Sequence, residues 1–581
     1  MPRKADPGTT LNTWALLGLG GASLACYLLI ASLSTRFVPG RGHAERPIVA
    51  VLVLLGVAHL LYLLALLLVR RMSREQSRRR GARCFPGVTA PGAPPMRVIL
   101  GLALAFRLVQ VLANPIQEVD IYRYLWDGRV ALAGVNPYAY SPADVAAEAG
   151  VTVDAEGRLH FAPRSADGRR LADVLRHAGT AEVFRTVEHR HVPTVYPPLS
   201  QAVFALAAAL TPAELAPRGQ IIGMKLVFLL FDVGTIWLVV SLLRAFGRSP
   251  AWCLAYAWCP LVIKEVANSG HLDVVAVFFV VLAVRLLVRG WRYGGAAAWS
   301  AAVLTKVFPL VLLPILVRAL WVRGGWRGVA GPLLLAGGLV AGAYALAWPG
   351  ERAACATPLR GLRVFLTEWE MNDFLFARVR GGLDAVLTDK ARSWLTRQAW
   401  WPRRAGPSPE AVDPAFALAY LLTGGLLAVF IIRLAVRPWP AVADAATRRG
   451  DPALEAVPAS AGSPRLPEAV FAALAVMVLL SPAANPWYLL WAIPFLPWAR
   501  QASWFLLPLV VLQYYLRFWF IYHDPSGGQR FFDEVWLWIE YVPFFAVLLG
   551  EMVWRQRRLS SGQRAKAAGG HPRTAPNAVQ A

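Results

Sequence analysis

Long apolar runs recur from one end of this chain to the other, and they decide its fold class before any single residue is weighed. Candidate spans lie at 11–33, 47–69, 97–113, 197–212, 220–243, 250–268, 271–289, 294–318, 328–348, 414–435, 467–483, 486–500, 502–521 and 535–554. A helix needs about 20 apolar residues to cross the hydrocarbon core of a bilayer. Several runs are short or carry charges, so the pattern predicts about eleven to fourteen crossings. A closed β-barrel would instead show alternating segments of about ten residues. Only helices and closed barrels satisfy their own backbone in lipid. The expectation is an all-α, polytopic transmembrane protein. Arg3 and Lys4 precede the first run as they would in a signal peptide. That run is longer than a signal peptide's apolar region and no clear cleavage site follows, so it reads as an uncleaved helix.

The formal net charge is +24, which raises the question of a nucleic-acid partner. The arginines answer it by gathering in short loops, at Arg70, Arg71, Arg74, Arg78, Arg79, Arg80 and Arg83, and again at Arg555, Arg557 and Arg558. This positive-inside pattern puts both termini in the cytoplasm of a cell-membrane protein and argues for a lipid bilayer as partner, not nucleic acid. The polar segments 114–195 and 349–413 then become two large extracytoplasmic loops. The division expected is two N-terminal helices with a basic loop (1–95), a core holding the first large loop (96–348), the second loop (349–413), C-terminal helices (414–554) and a disordered tail (555–581). The middle admits two topologies. Counting every run as a crossing sends Arg244, Arg248, Arg289 and Arg292 outside, against the charge rule. Making 197–212 and 294–318 re-entrant restores it, and lifts Lys306 to the apex of a half-membrane loop.

Chemistry is concentrated where the third run ends, in ANPIQEVDIYRYLWDGRVALAGVNPYAY (113–140). Asp120 begins a short helix that Gly128 could end, with Asp120, Arg123 and Asp127 on one face. Asp120 reads equally as a helix cap and Asp127 as a partner for Arg123. Tyr122, Tyr138 and Tyr140 suit an interface or the face of a sugar. His189 and His191 beside Glu188 make a metal site conceivable, though solvated histidines explain them as well. Charges within apolar runs are costly and face a cavity or a partner; here they include Arg107, Lys225, Asp232, Lys264, Glu265, Asp273 and Lys306. Lys225 and Asp232 are spaced to pair, whereas Lys306 has no local partner and so is a candidate for binding an anion. Asn485-Pro486-Trp487-Tyr488, with Trp369, Glu370, Asn372, Asp373, His523 and Asp524, add polar and aromatic groups to the same surface. No P-loop, H-E-x-x-H or G-x-S-x-G motif is seen. The five cysteines form no C-x-x-C pair.

Four segments together resemble the GT-C superfamily of integral-membrane glycosyltransferases, and among them bacterial enzymes of the α-mannopyranosyltransferase type that use polyprenyl-phosphate mannose. They are VDIYRYLWDGRVALAGVNPYAY, CPLVIKEVANSGHLDVV, AAVLTKVFPLVLLPIL and SPAANPWYLLWAIPFLPW, spread from about residue 115 to 500. Where the family tends to read His-Asn-Asp this chain has His271-Leu272-Asp273, and where it tends to read His-Pro-Trp-Tyr this chain begins with Asn485. The first two helices precede the shared core.

The resemblance implies a carboxylate base in the first large loop, which falls on Asp120. It also implies inverting transfer of a hexose, here mannose, from a polyprenyl-phosphate donor to a glycan or glycolipid acceptor. Lys306, Arg107 and Arg123 become candidates for the donor phosphate, and Asp127, Tyr122, Tyr138, Trp487 and Tyr488 for the sugars. His271, Asp273 and Asn485 form a further polar group. A divalent metal is left open and no other cofactor is called for. The competing reading is a transporter or flippase of a lipid-linked or small polar solute, whose cavity charges would carry no covalent chemistry.

Overall fold

The computed structural model describes residues 7–38, 40, 42–81, 95–156, 158–348, 359–404, 410–439 and 465–568. The expected basic stretch around Arg83, most of the 436–466 linker, the start of the second loop and the tail beyond Ala568 lie outside these residues. The chain is an all-α polytopic membrane protein; among the described residues the one sheet is a hairpin of Val151–Val153 against Leu159–Phe161. Among the described residues, seven helices are long and apolar enough to cross a membrane: Leu11–Arg36, His43–Glu75, Pro217–Ala245, Phe308–Ala347, Pro414–Val436, Ala502–His523 and Gly528–Arg558. The other seven apolar runs make shorter or broken helices. Prolines explain one of them: Pro486, Pro494 and Pro497 deny the 486–498 stretch its regular hydrogen bonds, and it folds as two short 3-10 turns.

Helices α1 (Pro7–Leu33), α2 (Ile48–Gly81) and α3 (Met96–Leu112) pack side by side. Close approach depends on Gly20, where a Cβ would stand 2.3 Å from Leu102, the small-residue packing common between membrane helices. Gln110 of α3 donates to the Tyr27 carbonyl at 2.8 Å. Helix α4 (Asp120–Leu132) does not stop at Gly128 as its sequence allowed. Instead Gly128 lets α4 touch the Pro198–Ala209 helix, because a Cβ there would lie 2.4 Å from the Phe204 carbonyl oxygen. At 12 residues that second helix is about 18 Å long, well short of a bilayer core.

The region around 306 is a hairpin. The Arg292–Thr305 helix ends there, Lys306 is extended (φ −152°, ψ 145°), and the chain turns back through Phe308–Leu312. Ser200 Oγ donates to the carbonyl of Thr305 at 2.5 Å, satisfying an oxygen that the helix break frees. The run Leu313–Ala347 is itself bent double at Gly324 and Gly325, the latter at φ +55°. One leg returns Arg323 to the Leu287 and Val288 carbonyls. The other brings the Ala336 carbonyl to Ser300 Oγ at 3.3 Å. Lys306 therefore sits at one end of these legs, and Arg292, Arg323 and Arg327 at the other.

One buried ion pair ties the helices beneath the site. Arg107 Nε meets Asp232 Oδ2 at 2.6 Å with both side chains at 0% exposure. Arg107 also donates to the Ala257 carbonyl at 2.6 Å, and Tyr256 to Asp232 at 2.8 Å. The expected Lys225–Asp232 pairing is absent: Lys225 donates to the Ala113 carbonyl at 2.8 Å. Removing one member of such a pair strands the other in a low dielectric and costs about 3–5 kcal/mol. Arg107→Met is accordingly expected to lower the thermal midpoint in detergent markedly, with Arg107→Met/Asp232→Leu recovering much of the loss. A stable single variant with a weakened donor KM would instead restore Arg107 as a phosphate ligand.

Candidate functional site

Asp120 stands in the first turn of α4, but it does not cap the helix: the N-cap is Val119 and no side chain closes a cap bond. Its carboxylate is 39% exposed, free to meet a ligand in a way the neighbouring acid is not. Asp127, about two turns further, is buried and held by Arg123 at 2.7 Å, and Arg123 also donates to the Val192 carbonyl. That pair is structural in geometry and lines neither cleft described below. Tyr138 is likewise buried, its hydroxyl donating to the Tyr196 carbonyl at 2.6 Å.

Behind Asp120 lies a string of buried polar groups. His271 Nδ1 is 3.8 Å from Asp120 Oδ2, and its Nε2 is 3.3 Å from Glu265 Oε2. Glu265 takes the Lys264 ammonium at 3.2 Å and the Tyr515 hydroxyl at 3.0 Å. The imidazole is stacked on Trp487 with ring centroids 4.1 Å apart. A left-handed Gly270 (φ +73°) precedes it; a Cβ there would strike Ile121 at 2.5 Å, so the loop lies directly against α4.

The second charged group is Lys306. Its ammonium reaches both oxygens of Asp273 at 2.7 Å, and the Trp491 indole N–H donates to the same carboxylate at 2.6 Å. The ammonium also lies 4.7 Å from the centre of the Tyr488 ring, within range of a cation–π attraction. Trp491 is stacked flat on Phe308 at 3.9 Å. Three N–H donors sit on an ammonium, so two bonds to Asp273 leave one for a ligand.

Two clefts meet at Asp120. The first, of about 390 Å³, is mostly apolar; Asp120 and Lys306 lie in its wall with Phe308, Tyr488, Trp491 and Pro197, and it continues between the spanning helices along Tyr420, Gly424 and Leu427. The second, of about 490 Å³, is the more polar of the two and is lined by Asp120, Tyr122, Glu118, Asn485, Arg46 and Arg517. Asp120, Trp369 and Trp487 belong to both and form the partition between them. Backbone pairing fixes that partition: Met371 N donates to the Pro482 carbonyl at 2.9 Å, and Ala484 N to the Met371 carbonyl at 2.8 Å. Burial pushes the Glu118 carboxyl up to about 8, leaving it mostly protonated, and so a donor, at neutral pH.

The structure thus gathers Asp120, Tyr122, His271, Asp273, Lys306, Asn485, Trp487 and Tyr488 around two adjoining clefts. It holds Arg107, Arg123, Asp127 and Tyr138 in separate contacts. Among the described residues no group of three or more His, Cys, Asp or Glu is arranged to hold a metal ion. Glu118, Arg517 and the α1–α2 connection escaped the sequence reading. Arg517, a lone cation in the aromatic run YYLRFWF, carried the signal that could have found it.

Residues 182–323 match the family model described as alpha-(1->6)-mannopyranosyltransferase, N-terminal domain. The chain resembles a GT-C mannosyltransferase. The matched quarter of the chain holds His271, Asp273 and Lys306, whereas Asp120 and the 485–491 segment lie outside it. No curated protein and no solved structure matches. A mannosyltransferase domain in a membrane protein supports glycosyl transfer between a sugar donor and a glycan acceptor at the bilayer.

Proposed function

We propose that this protein transfers mannose, with inversion, from polyprenyl-phosphate mannose to a glycan or glycolipid at the outer face of the membrane. The observation that carries this reading is the placement of Asp120 and Lys306 in one apolar cleft walled by spanning helices. A polyprenyl chain matches such a wall, and its phosphate would find the remaining N–H of Lys306. Asp120 then acts as general base. It takes the proton of an acceptor hydroxyl as that oxygen attacks the anomeric carbon, while the bond from that carbon to the phosphate oxygen breaks on the opposite side. The phosphate departs as an anion beside the Lys306 ammonium, which offsets the growing charge. Phosphate is already a good leaving group, so no separate acid is needed. His271, backed by Glu265, serves as a positioning residue that steadies the carboxylate.

Purified protein in detergent is expected to move label from polyprenyl-phosphate [³H]mannose to a mannoside acceptor, and to leave GDP-mannose untouched. The product linkage should have the anomeric configuration opposite to the donor's. Label moving only across sealed vesicles, with no new glycosidic bond, would establish the transporter reading instead.

A further inference from the structure

The polar cleft on the far side of Asp120 has the composition of a carbohydrate site. Its charged groups are of both signs, with Arg46 and Arg517 set against Glu188 and Asp120, and its rings include Trp369, Trp487, Tyr514 and Tyr522. A phosphate or carboxylate ligand would meet the carboxylates of Glu188 and Asp120 there. A lipid tail would leave the polar groups dry. A sugar suits both halves of the lining: its C–H faces lie against rings, and its hydroxyls both donate and accept.

Unspent hydrogen-bonding capacity marks the same cleft. Buried polar atoms are ordinarily paired, yet both amide atoms of Asn485 lack a hydrogen-bond partner although the residue is only 1% exposed. Glu118 Oε1, Arg46 Nε and Arg517 Nε are buried in the same condition. The Tyr488 hydroxyl is a polar group within reach of Asn485, and Asn485 lines the polar cleft two residues before Trp487 of the partition.

One wall is contributed from far away in sequence. Phe37, Val38, Gly40, His43 and Arg46, from the connection between α1 and α2, wall the cleft beside the loop that leads into Asp120. That connection is fastened down. Arg46 donates to Gln117 at 3.1 Å, Gln117 donates to the Tyr522 hydroxyl at 2.5 Å, and His43 stacks on Tyr522 at 4.9 Å. None of it falls in the family-matched segment.

We propose that the polar cleft is the acceptor site, that it takes a neutral glycan end, and that the α1–α2 connection selects which glycan. The proposal rests on Asp120 being the base, since that is what makes the cleft the acceptor's side. Its test needs no chemistry. Equilibrium binding of methyl α-(1→6)-mannobioside to the full-length protein would be measured without donor, in a detergent lacking a sugar headgroup, beside methyl maltoside as a second probe. Asn485→Ala and Arg517→Gln should each weaken mannobioside binding by about tenfold or more, the worth of a lost hydrogen bond to a buried group. His43→Ala, on the exposed connection and harmless to the buried core, should change the ratio of the two affinities. Binding of neither probe, or binding that all three substitutions leave within about twofold, overturns the proposal. The two failures are separable: transfer surviving in Asp120→Asn removes the base and not the glycan site, whereas unaltered binding in these variants removes the site and not the base.

Discussion

Asp120→Asn is expected to lower kcat for mannosyl transfer by about 10²–10⁴-fold, the usual contribution of a positioned general base. The change is nearly isosteric. It removes the acceptor of the proton and leaves the hydrogen-bonding shape of the side chain in place. Because Asp120 makes no cap bond and is partly exposed, folding should barely notice. The loss is confined to a carboxylate in the first turn of a helix, worth about 0.3–1 kcal/mol. The discriminating measurement is therefore kcat alongside the thermal midpoint in the same detergent. A dead enzyme with an unshifted midpoint supports Asp120 as the base. Near-normal turnover would require another group to take the proton, and His271, 3.8 Å away, would be the first to examine.

Lys306→Met should cost about 10²–10³-fold in kcat, the scale on which one preorganised charge stabilises a developing anion. Donor KM should move less, because the apolar chain supplies binding of its own. The geometry also contains a rival explanation. Lys306 and Asp273 are paired at 2.7 Å, and Asp273 is fully buried, so the variant strands a carboxylate and destabilises the fold. Lys306→Met/Asp273→Asn decides between them, since it removes both charges while keeping a group able to accept from Trp491. If Lys306 only neutralised Asp273, the double variant would recover stability and activity together. If Lys306 meets the phosphate, stability returns and turnover does not.

How far the sequence could be read depends on how local the cause is. Apolar length fixed the all-helical class because a continuous apolar run of that length suits a membrane helix, whereas a barrel strand alternates. The turn at Lys306 is one of the two topologies that the sequence admits, suggested by a lysine ahead of Pro309 in an apolar run. The lysine's partner was not legible: Asp273 lies 33 residues away, and only the packing of two helices brings it there. Arg107 shows the converse. A cation within an apolar run is a fair candidate for an anion site, yet the acid that claims it, Asp232, stands 125 residues on. Spacing alone pairs Asp232 with Lys225. Periodicity along one helix shows which residues share a face, and says nothing about the neighbouring helix that the face meets. The same limit hid the α1–α2 connection, whose chemistry exists only against Gln117 and Tyr522.

The far-flung parentage of the polar cleft has a consequence for biogenesis. Its lining is drawn from residues 37 to 522, so a nascent chain entering the bilayer from its N-terminus owns the carboxylate early and completes the chamber only near the end of synthesis. The proposed acceptor cleft is therefore incomplete until the Ala502–His523 helix, which carries Tyr514, Arg517 and Tyr522 of its lining, has joined the others.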